Sequence, residues 1–376
     1  MDVFTRRLGP ADRPDYEAAQ RLAFGYEPIL PPHFDLDAGS PLALGAFAGD
    51  RLLGKIAVYP LHLSLGGKNI RIHGVADVTV SLDFRGRGLG RQLFGEILNL
   101  ERERGVVLSI LYPSIPAVYR SYSYAAVASR CLVRLDPSTL ARARMDKDIE
   151  VSLADEAQAR VAYASLIEGL SGAVTPLTPR SENQVDVVLR RAGAAVAFIR
   201  MLRVGEHITC DLLLAKDKMA WESALGLLAS ETGGAVIEAW STPHAPYWHW
   251  YPGNLDIRDW ANPMMRVIDV VAALEGRGWA PEATGTWTFS VNDALVPDNS
   301  GQYLLSLSGG VAQVSRLEDA SEALAQGSED IGPIAIGDLS ALVAGVRNPG
   351  DPQWGSLPDS LIRAASLGPW HFNQGF

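Results

Sequence analysis

The chain has 376 residues, of which 47% are hydrophobic, and its 43 acidic and 33 basic side chains give a formal net charge of −10. The length predicts two or three domains, and no apolar run reaches the roughly 20 residues that a membrane-spanning helix needs. The negative charge argues against general binding to the phosphate backbone of nucleic acids and indicates solubility or a cationic partner.

The N-terminus lacks the basic segment, apolar stretch and cleavage site of a secretory signal. We therefore expect a cytoplasmic protein without a membrane span. Cys131 and Cys210 lie far apart and outside any CxxC or His-flanked spacing, which predicts two small buried apolar residues. We expect neither a disulfide framework nor a metal site.

Residues 1–140 predict one α/β unit. An opening strand precedes a helix around residues 14–26, and the alternation of apolar and polar residues over 43–82 predicts an antiparallel meander. From Leu89 the apolar residues recur at helical spacing until Gly105 supplies a stop. The apolar stretch VVLSILYP that follows predicts a buried strand.

Two further units follow this one. After a polar boundary near 136–150, residues 141–262 repeat the alternation of helices and strands without a glycine-rich turn, which predicts a second α/β unit of similar plan. A third unit spans 263–376 and begins with a predicted helix over 264–279. Strands in GTWTFSVND, GQYLLSLSGG and VAQVSRLED come next, and two helices end the unit.

The stretch SLDFRGRGLG, residues 81–90, lies between the last meander strand and the predicted helix from Leu89. A glycine-rich turn between a strand and a helix presents backbone N–H groups at the positive end of the helix, where anions bind. The spacing is neither the GxGxxG of a dinucleotide site nor a Walker loop. Taken alone, the turn leaves a purely structural role open.

The pattern Arg-x-x-Gly-x-Gly at 85–90, between an alternating strand and an amphipathic helix, resembles the acetyl-CoA signature of the GNAT N-acetyltransferase superfamily. The resemblance covers about residues 40–135. It implies that the amides of the turn bind the CoA pyrophosphate and that the preceding strand exposes backbone groups to pantetheine. The implied CoA-binding residues are Val78, Val80, Arg85, Gly86, Arg87, Gly88, Gly90 and Arg91.

The segment SIPAVYRSYSYAAVASRCLVRL is similar to a stretch of the Eis-like (enhanced intracellular survival) acetyltransferases, with Ser114, Tyr119, Tyr122 and Tyr124 in register. This resemblance adds Ser114 to the CoA-binding residues. It implies an α/β (α+β) fold of two tandem GNAT-like domains with mixed, largely antiparallel sheets and a C-terminal sterol-carrier-protein-like α+β domain. The implied boundaries are 1–140, 141–262 and 263–376.

The Eis-like mechanism assigns two groups. Tyr124 would protonate the departing CoA thiolate, and the α-carboxylate of Phe376 would take the proton of the attacking amine through water. A tyrosine with a pKa near ~10 is protonated at neutral pH, and an α-carboxylate with a pKa near ~3.5 is ionised. Because the carboxylate is a weak base, it would also bind and orient the ammonium. The alternatives are a core aromatic for Tyr124 and an apolar plug of the third domain for Phe376.

Four positions depart from the Eis-like pattern. Leu82 stands where many relatives have proline, and Ser123 and Ala125 flank Tyr124 where glycines are usual. Ser123 and Ala125 predict a narrower pocket or a different orientation of the Tyr124 side chain. Gln374 replaces an expected acidic residue near the terminus, which lowers the negative potential offered to a cationic acceptor.

The loop over 25–40 lies where the acceptor side of the first unit should be. Loops of this length with aromatic and charged residues are often functional, and we expect His33, Phe34 and Asp35 to bind the acceptor. The aromatic cluster YWHWY at 247–251 predicts a domain-interface core.

These patterns together predict a GNAT-type enzyme that transfers an acetyl group from acetyl-CoA to a cationic amine. The acceptor would be an aminoglycoside-like amine, a polyamine or a lysine side chain, without a metal or a nucleic-acid partner. The resemblance implies a homo-oligomer, a trimer or a hexamer. The alternative from another class is a non-catalytic acyl-CoA or lipid-binding protein on the same scaffold.

Overall fold

The computed structural model of the protein divides into two compact units. Residues up to Val127 and from Pro263 to Gly368 form the first unit, and Ala128 to Asn262, with Trp370 and His371, form the second. The residues that the structure describes are 2–25, 42–135, 140, 143–205, 207–231, 236–242, 245, 256–318, 327–346, 357–368, 370 and 371.

The first unit opens with a strand, a helix and an antiparallel meander, in the order that the sequence predicts. Gly66 and Gly67 join two meander strands with φ angles of 58° and 78°, which suit the two-residue turn that follows the twist of paired strands. The elements are β1 (Phe4–Arg7), a 3-10 turn (Pro10–Asp12), α1 (Arg13–Phe24), β2 (Leu42–Ala48), β3 (Arg51–Leu65), β4 (Lys68–Val80), a 3-10 turn (Leu82–Phe84), α2 (Leu89–Glu103), β5 (Leu108–Leu111), α3 (Pro116–Arg120) and β6 (Ala125–Ala126).

The helix α2 has one apolar face, which packs on β2, β3 and β4. Leu93, Phe94, Ile97 and Leu98 are fully buried along this face, because a spacing of three and four residues puts side chains on one side of a helix. Each contributes about 1.5–3 kcal/mol by burial. Gly105 follows the helix with a φ of 76° and ends it, as the sequence predicts.

The second unit repeats the plan of the first. It has a strand and a helix, followed by three strands in antiparallel pairing, a second helix and a final strand. This final strand is parallel to the last of the three antiparallel strands. The sheet order is β14-β7-β13-β12-β11-β10-β8. The elements are β7 (Arg130–Leu135), β8 (Ile149–Ala154), α4 (Glu156–Ile167), β9 (Val174–Thr175), β10 (Gln184–Arg191), β11 (Ala194–Val204), β12 (His207–Ala215), α5 (Lys218–Glu231), β13 (Val236–Ser241) and β14 (Asp256–Ala261).

The remainder of the first unit is an α+β segment with a sheet of its own, ordered β18-β17-β16-β19. Its strands and its two final helices agree with the sequence prediction. The elements are β15 (Met264–Val267), α6 (Val270–Gly276), β16 (Gly285–Val291), a 3-10 turn (Pro297–Asn299), β17 (Gly301–Ser308), β18 (Val311–Leu317), β19 (Glu329–Ile334), α7 (Ile336–Ala344) and α8 (Asp359–Ala365).

The predicted helix over 264–279 is wrong at its start and its end. Met264–Val267 is the strand β15, and the helix α6 covers Val270–Gly276. The β15 strand pairs with β5 on one side and β6 on the other, so its four buried residues fill a gap in the sheet. Both of these partner strands lie more than 130 positions earlier in the chain, so local apolar periodicity does not predict the pairing.

The first sheet has the order β1-β2-β3-β4-β5-β15-β6. The chain leaves it after β6 and returns to it at β15, and the amide of Val127 donates to the carbonyl of Pro263 at 3.0 Å. The strand β7, within the predicted domain 1–140, belongs to the second sheet. The three domain boundaries 1–140, 141–262 and 263–376 stay a prediction.

Cys131 and Cys210 are both free and fully buried in the second sheet, as predicted. Burial raises the pKa of the Cys131 thiol to about 11 and that of Cys210 to about 12, so both behave as small apolar residues. Among the described helices, none combines the length and the apolar character needed to cross a membrane.

Candidate active site

The turn between β4 and α2 presents backbone amides at a helix N-terminus. Gly86 and Gly88 have φ angles of 74° and 81°, which glycine adopts without steric cost. A Cβ on either would meet no atom within 4 Å, so conformation, and not space, requires these glycines. Gly88 is the N-cap of α2 and has no side chain with which to cap its amides. The helix end therefore favours an anion.

Three exposed arginines surround this turn. The Arg85 Nε donates to the carbonyl of Val80 at 3.2 Å, and the Arg91 Nη1 donates to the carbonyl of Ser121 at 3.2 Å. The guanidinium of Arg87 lies 5.1 Å from the centre of the Phe84 ring. These contacts keep three cations beside the amides, where they can make charge-assisted hydrogen bonds to phosphate.

Gly90 has a different reason to be glycine. A Cβ at this position would lie 3.0 Å from the hydroxyl oxygen of Tyr122, closer than an ordinary van der Waals contact. The first turn of α2 therefore approaches the tyrosine segment after α3 closely. This approach brings the two predicted motifs to one place.

A cavity of about 660 Å³ adjoins the turn, and a second of about 240 Å³ shares part of its wall. Both are lined by Phe24, Val78, Ser114 and Tyr119. Most of the predicted CoA-binding residues line the larger cavity, namely Val78, Val80, Arg85, Gly86, Gly88, Gly90 and Ser114. The structure thus brings these residues together, and Arg87 and Arg91 lie beside them in the same turn.

The cavities lie where β4 and β5 stop pairing. These parallel strands are in register up to Val75 and Leu111, and β4 then continues to Val80 paired with β3. A bulge against β3 leaves Asp77 and Val78 outside the regular ladder. Asp77 has a φ of 55°, an uncommon conformation for a residue other than glycine. The pairing of β4 with β5 thus ends two residues before the bulge.

A buried polar cluster holds the Asp77 bulge. The Tyr16 hydroxyl donates to Asp77 Oδ2 at 2.5 Å, and the Gln20 Nε2 donates to Oδ1 at 2.7 Å. The Lys55 Nζ donates to Gln20 Oε1 at 2.7 Å and lies 3.5 Å from the centre of the Tyr16 ring. Burial lowers the pKa of Lys55 to about 8, although the charge of Asp77 acts in the opposite direction.

The predicted acid, Tyr124, lies deeper than its neighbours. Tyr119 and Tyr122 line the larger cavity, whereas Tyr124 is only 2% exposed and its hydroxyl lies 2.5 Å from the Ser109 Oγ. Burial raises the pKa of Tyr124 well above its ordinary value, against the smaller effect of Ser109. Ser123 precedes it with a φ of 65°, where relatives have glycine.

The segment before Tyr124 is held from the C-terminal part of the first unit. The Arg266 Nε donates to the carbonyl of Tyr122 at 2.9 Å, and its Nη2 pairs with Asp293 Oδ1 at 2.5 Å. Arg266 is fully buried, and its charge lowers the pKa of Tyr124, although burial has the larger effect and raises it. β15 therefore contributes both a strand and a positioning contact.

Several predicted residues lie outside the described residues. They are the acceptor residues His33, Phe34 and Asp35, the terminal residue Phe376 and the aromatic cluster at 247–251. The sequence prediction missed Asp77, Lys55 and Arg266. A carboxylate within the apolar alternation of VADVTVSL was a signal for the bulge, but no local spacing connects Lys55 or Arg266 to the site.

Comparison with known proteins agrees with this geometry. Residues 5–127 match the family model of an acetyltransferase (GNAT) domain, and residues 270–354 match that of a sterol carrier protein domain. An uncharacterized N-acetyltransferase of Streptomyces coelicolor is 27% identical over 346 residues, which cover 81% of this chain and 81% of that protein. Residues 5–127 are thus identified as a GNAT acetyltransferase domain.

Solved structures share the fold of this acetyltransferase. A GCN5-related N-acetyltransferase from Kribbella flavida has a TM-score of 0.80 at 21% identity, over 98% of this chain and 99% of that one. Eis1 from Mycobacterium abscessus has a TM-score of 0.73 at 20% identity, over 98% of both chains. The fold thus combines a GNAT domain, a second α/β unit of the same plan and a C-terminal sterol-carrier-like domain.

The acetyltransferase domain and the names of the similar proteins indicate an acyl-CoA-dependent N-acetyltransferase, which implies an amine as acceptor. They thereby favour the enzyme over the non-catalytic binding protein. Acetyl-CoA is the acyl donor that the GNAT domain implies. The residues at the turn fit it, because the open amides and the arginines suit a pyrophosphate and the adjoining cavity suits an apolar arm.

Proposed function

We propose that this acetyltransferase moves the acetyl group of acetyl-CoA to a primary amine of a cationic acceptor by direct attack, without a covalent enzyme intermediate. The observation that carries the proposal is the open glycine turn before α2, continuous with a cavity that tyrosines line. The acceptor is an aminoglycoside-like amine, a polyamine or a lysine side chain. Asp77 lines the smaller cavity, and its carboxylate supports a cationic acceptor.

The turn would bind the CoA phosphates, with the amides around Gly86, Gly88 and Gly90 as donors. Arg85, Arg87 and Arg91 supply charge, and Ser114 is exposed at the opposite wall of the cavity. The pantetheine arm would run along β4, where the backbone of Val78 and Val80 faces the cavity.

Two tyrosines are candidates for the general acid that protonates the CoA thiolate. The resemblance to Eis-like enzymes supports Tyr124, whose hydroxyl is buried against Ser109. The cavity geometry supports Tyr119 as the alternative, because it lines both cavities. We retain Tyr124 as the proposed acid, and variants of the two residues distinguish them.

The proposed base and acceptor site rest on the sequence. The Phe376 carboxylate would orient the ammonium and accept its proton through water, and His33, Phe34 and Asp35 would line the acceptor pocket. We also propose a cytoplasmic homo-oligomer, a trimer or a hexamer, and the boundaries 1–140, 141–262 and 263–376 for the three domains. Sedimentation tests the oligomeric state, and limited proteolysis tests the domain boundaries.

The test is thiol release from acetyl-CoA with a panel of polyamines, aminoglycosides and lysine peptides. Tyr124→Phe should lower kcat by about 10²–10⁴-fold, the usual contribution of a general acid, with unchanged CoA affinity. One extra C-terminal glycine should lower it too, because the extension displaces the carboxylate. Tyr122→Phe is the control, since Tyr122 lines the same cavity without an assigned role.

The results distinguish the alternatives. Loss of activity in Tyr119→Phe with full activity in Tyr124→Phe would transfer the acid role to Tyr119. CoA binding without thiol release from any amine would contradict the proposed acceptor class. Full activity of the extended chain would overturn the Phe376 assignment alone.

A further inference from the structure

A buried chain of polar side chains runs from Tyr124 to the surface of the first unit. The Tyr124 hydroxyl lies 2.5 Å from the Ser109 Oγ, which lies 2.6 Å from the His73 Nε2. The His73 Nδ1 lies 3.4 Å from Glu101 Oε2, and the Arg104 Nη1 donates to Glu101 Oε1 at 2.5 Å. The proposed mechanism uses Tyr124 but none of Ser109, His73, Glu101 and Arg104.

The chain is part of the sheet that forms the site. His73 on β4 and Ser109 on β5 are direct partners in the parallel ladder, and both are fully buried. Glu101, on the buried face of α2, is 3% exposed, whereas 40% of the Arg104 side chain is exposed. The arrangement therefore connects the core beneath the CoA cavity to solvent through hydrogen-bonding groups alone.

The direction of the hydrogen bonds decides what Tyr124 can do. When His73 is neutral, its proton belongs on Nδ1, facing the Glu101 carboxylate, and Nε2 accepts from Ser109. The Ser109 oxygen then accepts from Tyr124, so the Tyr124 proton points into the core. When His73 carries both protons, Nε2 donates to Ser109, Ser109 donates to Tyr124, and the Tyr124 proton is released to point outward.

We propose that Ser109, His73 and Glu101 form a buried proton relay that makes Tyr124 a donor to the CoA thiolate and replaces the proton that Tyr124 gives. This inference rests on the proposed role of Tyr124. The three residues are positioning residues, because they act through Tyr124 and do not touch the thiolate. The relay makes the general acid depend on the protonation of His73.

The protons of this step balance. As the amine nitrogen bonds to the acetyl carbon and the thioester C–S bond breaks, the Tyr124 O–H bond breaks and an S–H bond forms. The Ser109 proton moves to the Tyr124 oxygen, and the His73 Nε2 proton moves to Ser109, which leaves His73 neutral with its remaining proton on Nδ1, facing Glu101. The proton that the amine loses enters solvent, from which His73 recovers its second proton in the next turnover.

The surroundings of the relay set its pH range. Burial lowers the pKa of His73, while Glu101 acts to raise it and Arg104 to lower it. Burial acts to raise the pKa of Glu101, but contacts with His73 and Arg104 outweigh burial and lower it. Tyr124 faces Ser109, Arg266 and Tyr119. The donating form of Tyr124 is therefore lost as pH rises through the His73 pKa.

The experiment measures kcat, the KM for acetyl-CoA and the pH profile of kcat from pH 5 to 9 in the full chain. In the wild type kcat should carry a descending limb that follows His73. Ser109→Ala and His73→Gln should remove this limb and lower kcat at least about tenfold, a part of the effect of a general acid, without raising KM. Glu101→Gln should move the limb to lower pH, because it removes the charge that favours the imidazolium.

Matched variants and a spectroscopic measurement keep the test decisive. His62→Gln on the neighbouring strand β3 and Glu103→Gln on α2 change exposed residues and should leave the profile unchanged. Nitrogen-15 NMR of the wild-type histidines should show the neutral His73 ring with its proton on Nδ1 and a second protonation on acidification. A His73 ring that keeps one protonation state throughout this pH range overturns the relay, even if the buried variants fail to fold.

The outcomes separate the relay from the proposed function. If Tyr124→Phe loses activity while Ser109→Ala and His73→Gln keep the wild-type kcat and pH profile, the relay is wrong and the acid assignment stands. If Tyr124→Phe keeps full activity, the relay and the assignment of Tyr124 as the acid are both wrong, and another group protonates the thiolate during acetyl transfer.

Discussion

The two α/β units follow the same plan but treat the corresponding helix N-terminus differently. In the first unit β4 leads through Gly86 and Gly88 into α2, whose first amides are uncapped by the N-cap glycine. In the second unit β12 leads directly into α5, and Asp217 Oδ1 accepts from the amide of Ala220 at 2.8 Å. The second unit thus caps its helix with its own carboxylate, whereas the first leaves the corresponding amides open.

The central strands of the two units also bury different cations. Arg200 on β11 pairs with both carboxylate oxygens of Asp186 on β10, at 2.8 Å and 3.0 Å. Lys55 on β3 instead contacts an amide and an aromatic ring beside the Asp77 bulge. The bidentate pair stabilises a regular sheet, whereas the Lys55 cluster supports an irregular strand end, which the site needs.

The largest expected effect on CoA affinity comes from introducing into the turn before α2 a carboxylate like that of Asp217 before α5. Gly88→Asp places a carboxylate where the pyrophosphate should bind, and like charges at such a distance cost several kcal/mol, or more than about 100-fold in affinity. Calorimetric titration with CoA measures the change. Gly88→Asn is the matched variant, since it has the same shape and the same backbone strain without the charge.

The comparison of these two variants isolates the electrostatic contribution. Gly88→Asn should lose far less affinity than Gly88→Asp, and raising the salt concentration should narrow the gap between them. Equal losses in both would mean that backbone strain at the φ of 81° explains the glycine, and the anion site would lie elsewhere.

The second prediction concerns the buried cation of the first unit. The folded-state pKa of Lys55, about 8, lies below the ordinary 10.5 of an unfolded lysine, so the unfolded chain binds more protons between these values. The free energy of unfolding should therefore rise with pH from 8 to 10.5, by up to about 3 kcal/mol. Denaturant titrations at several pH values measure this rise.

Lys55→Met should abolish this pH-dependent gain, because the variant has no amine to deprotonate on folding. Lys68→Met, which changes an exposed lysine of the same sheet, is the control and should retain it. A gain that persists in Lys55→Met would assign the proton uptake to another group. The second unit, with its Arg200–Asp186 pair, offers no corresponding amine on its central strand.

The smallest expected effect is in the second unit. Asp217→Ala removes the cap of α5 and should cost about 1 kcal/mol, with little further loss from the exposed pair with Arg191. Asp217→Asn keeps the capping oxygen and should cost less. Urea unfolding measures both, and CoA titration should still find one site per chain, because the segment from Ala215 to Ala220 has no glycine to open the turn.

The sequence predicted the elements that local rules govern. The meander turns, the helix from Leu89 and its stop at Gly105 follow from glycine conformation and apolar spacing, and the structure has all three. The turn at 85–90 was found because its amides, glycines and arginines are contiguous. The same rules failed at Met264, where a strand is fixed by partners on both sides and not by its own pattern.

The parts of the site that were missed depend on distant contacts. Ser109 and His73 meet because β4 and β5 are parallel neighbours, and Glu101 reaches them from a helix. Their separations of 28 and 36 positions correspond to no local motif. The burial of Tyr124 likewise depends on the packing of Phe94 and Arg266 around it, which the register of a motif does not describe.

The return of the chain at β15 also has a consequence for biosynthesis. In the first sheet, residues 264–267 lie between β5 and β6, and in the chain they follow residues 128–262 of the second unit. A ribosome must therefore complete more than 130 further residues after β6 before the first sheet can close. Until then β5 exposes a strand edge, so the nascent chain depends on rapid, independent folding of the inserted unit to bring the missing strand back in time.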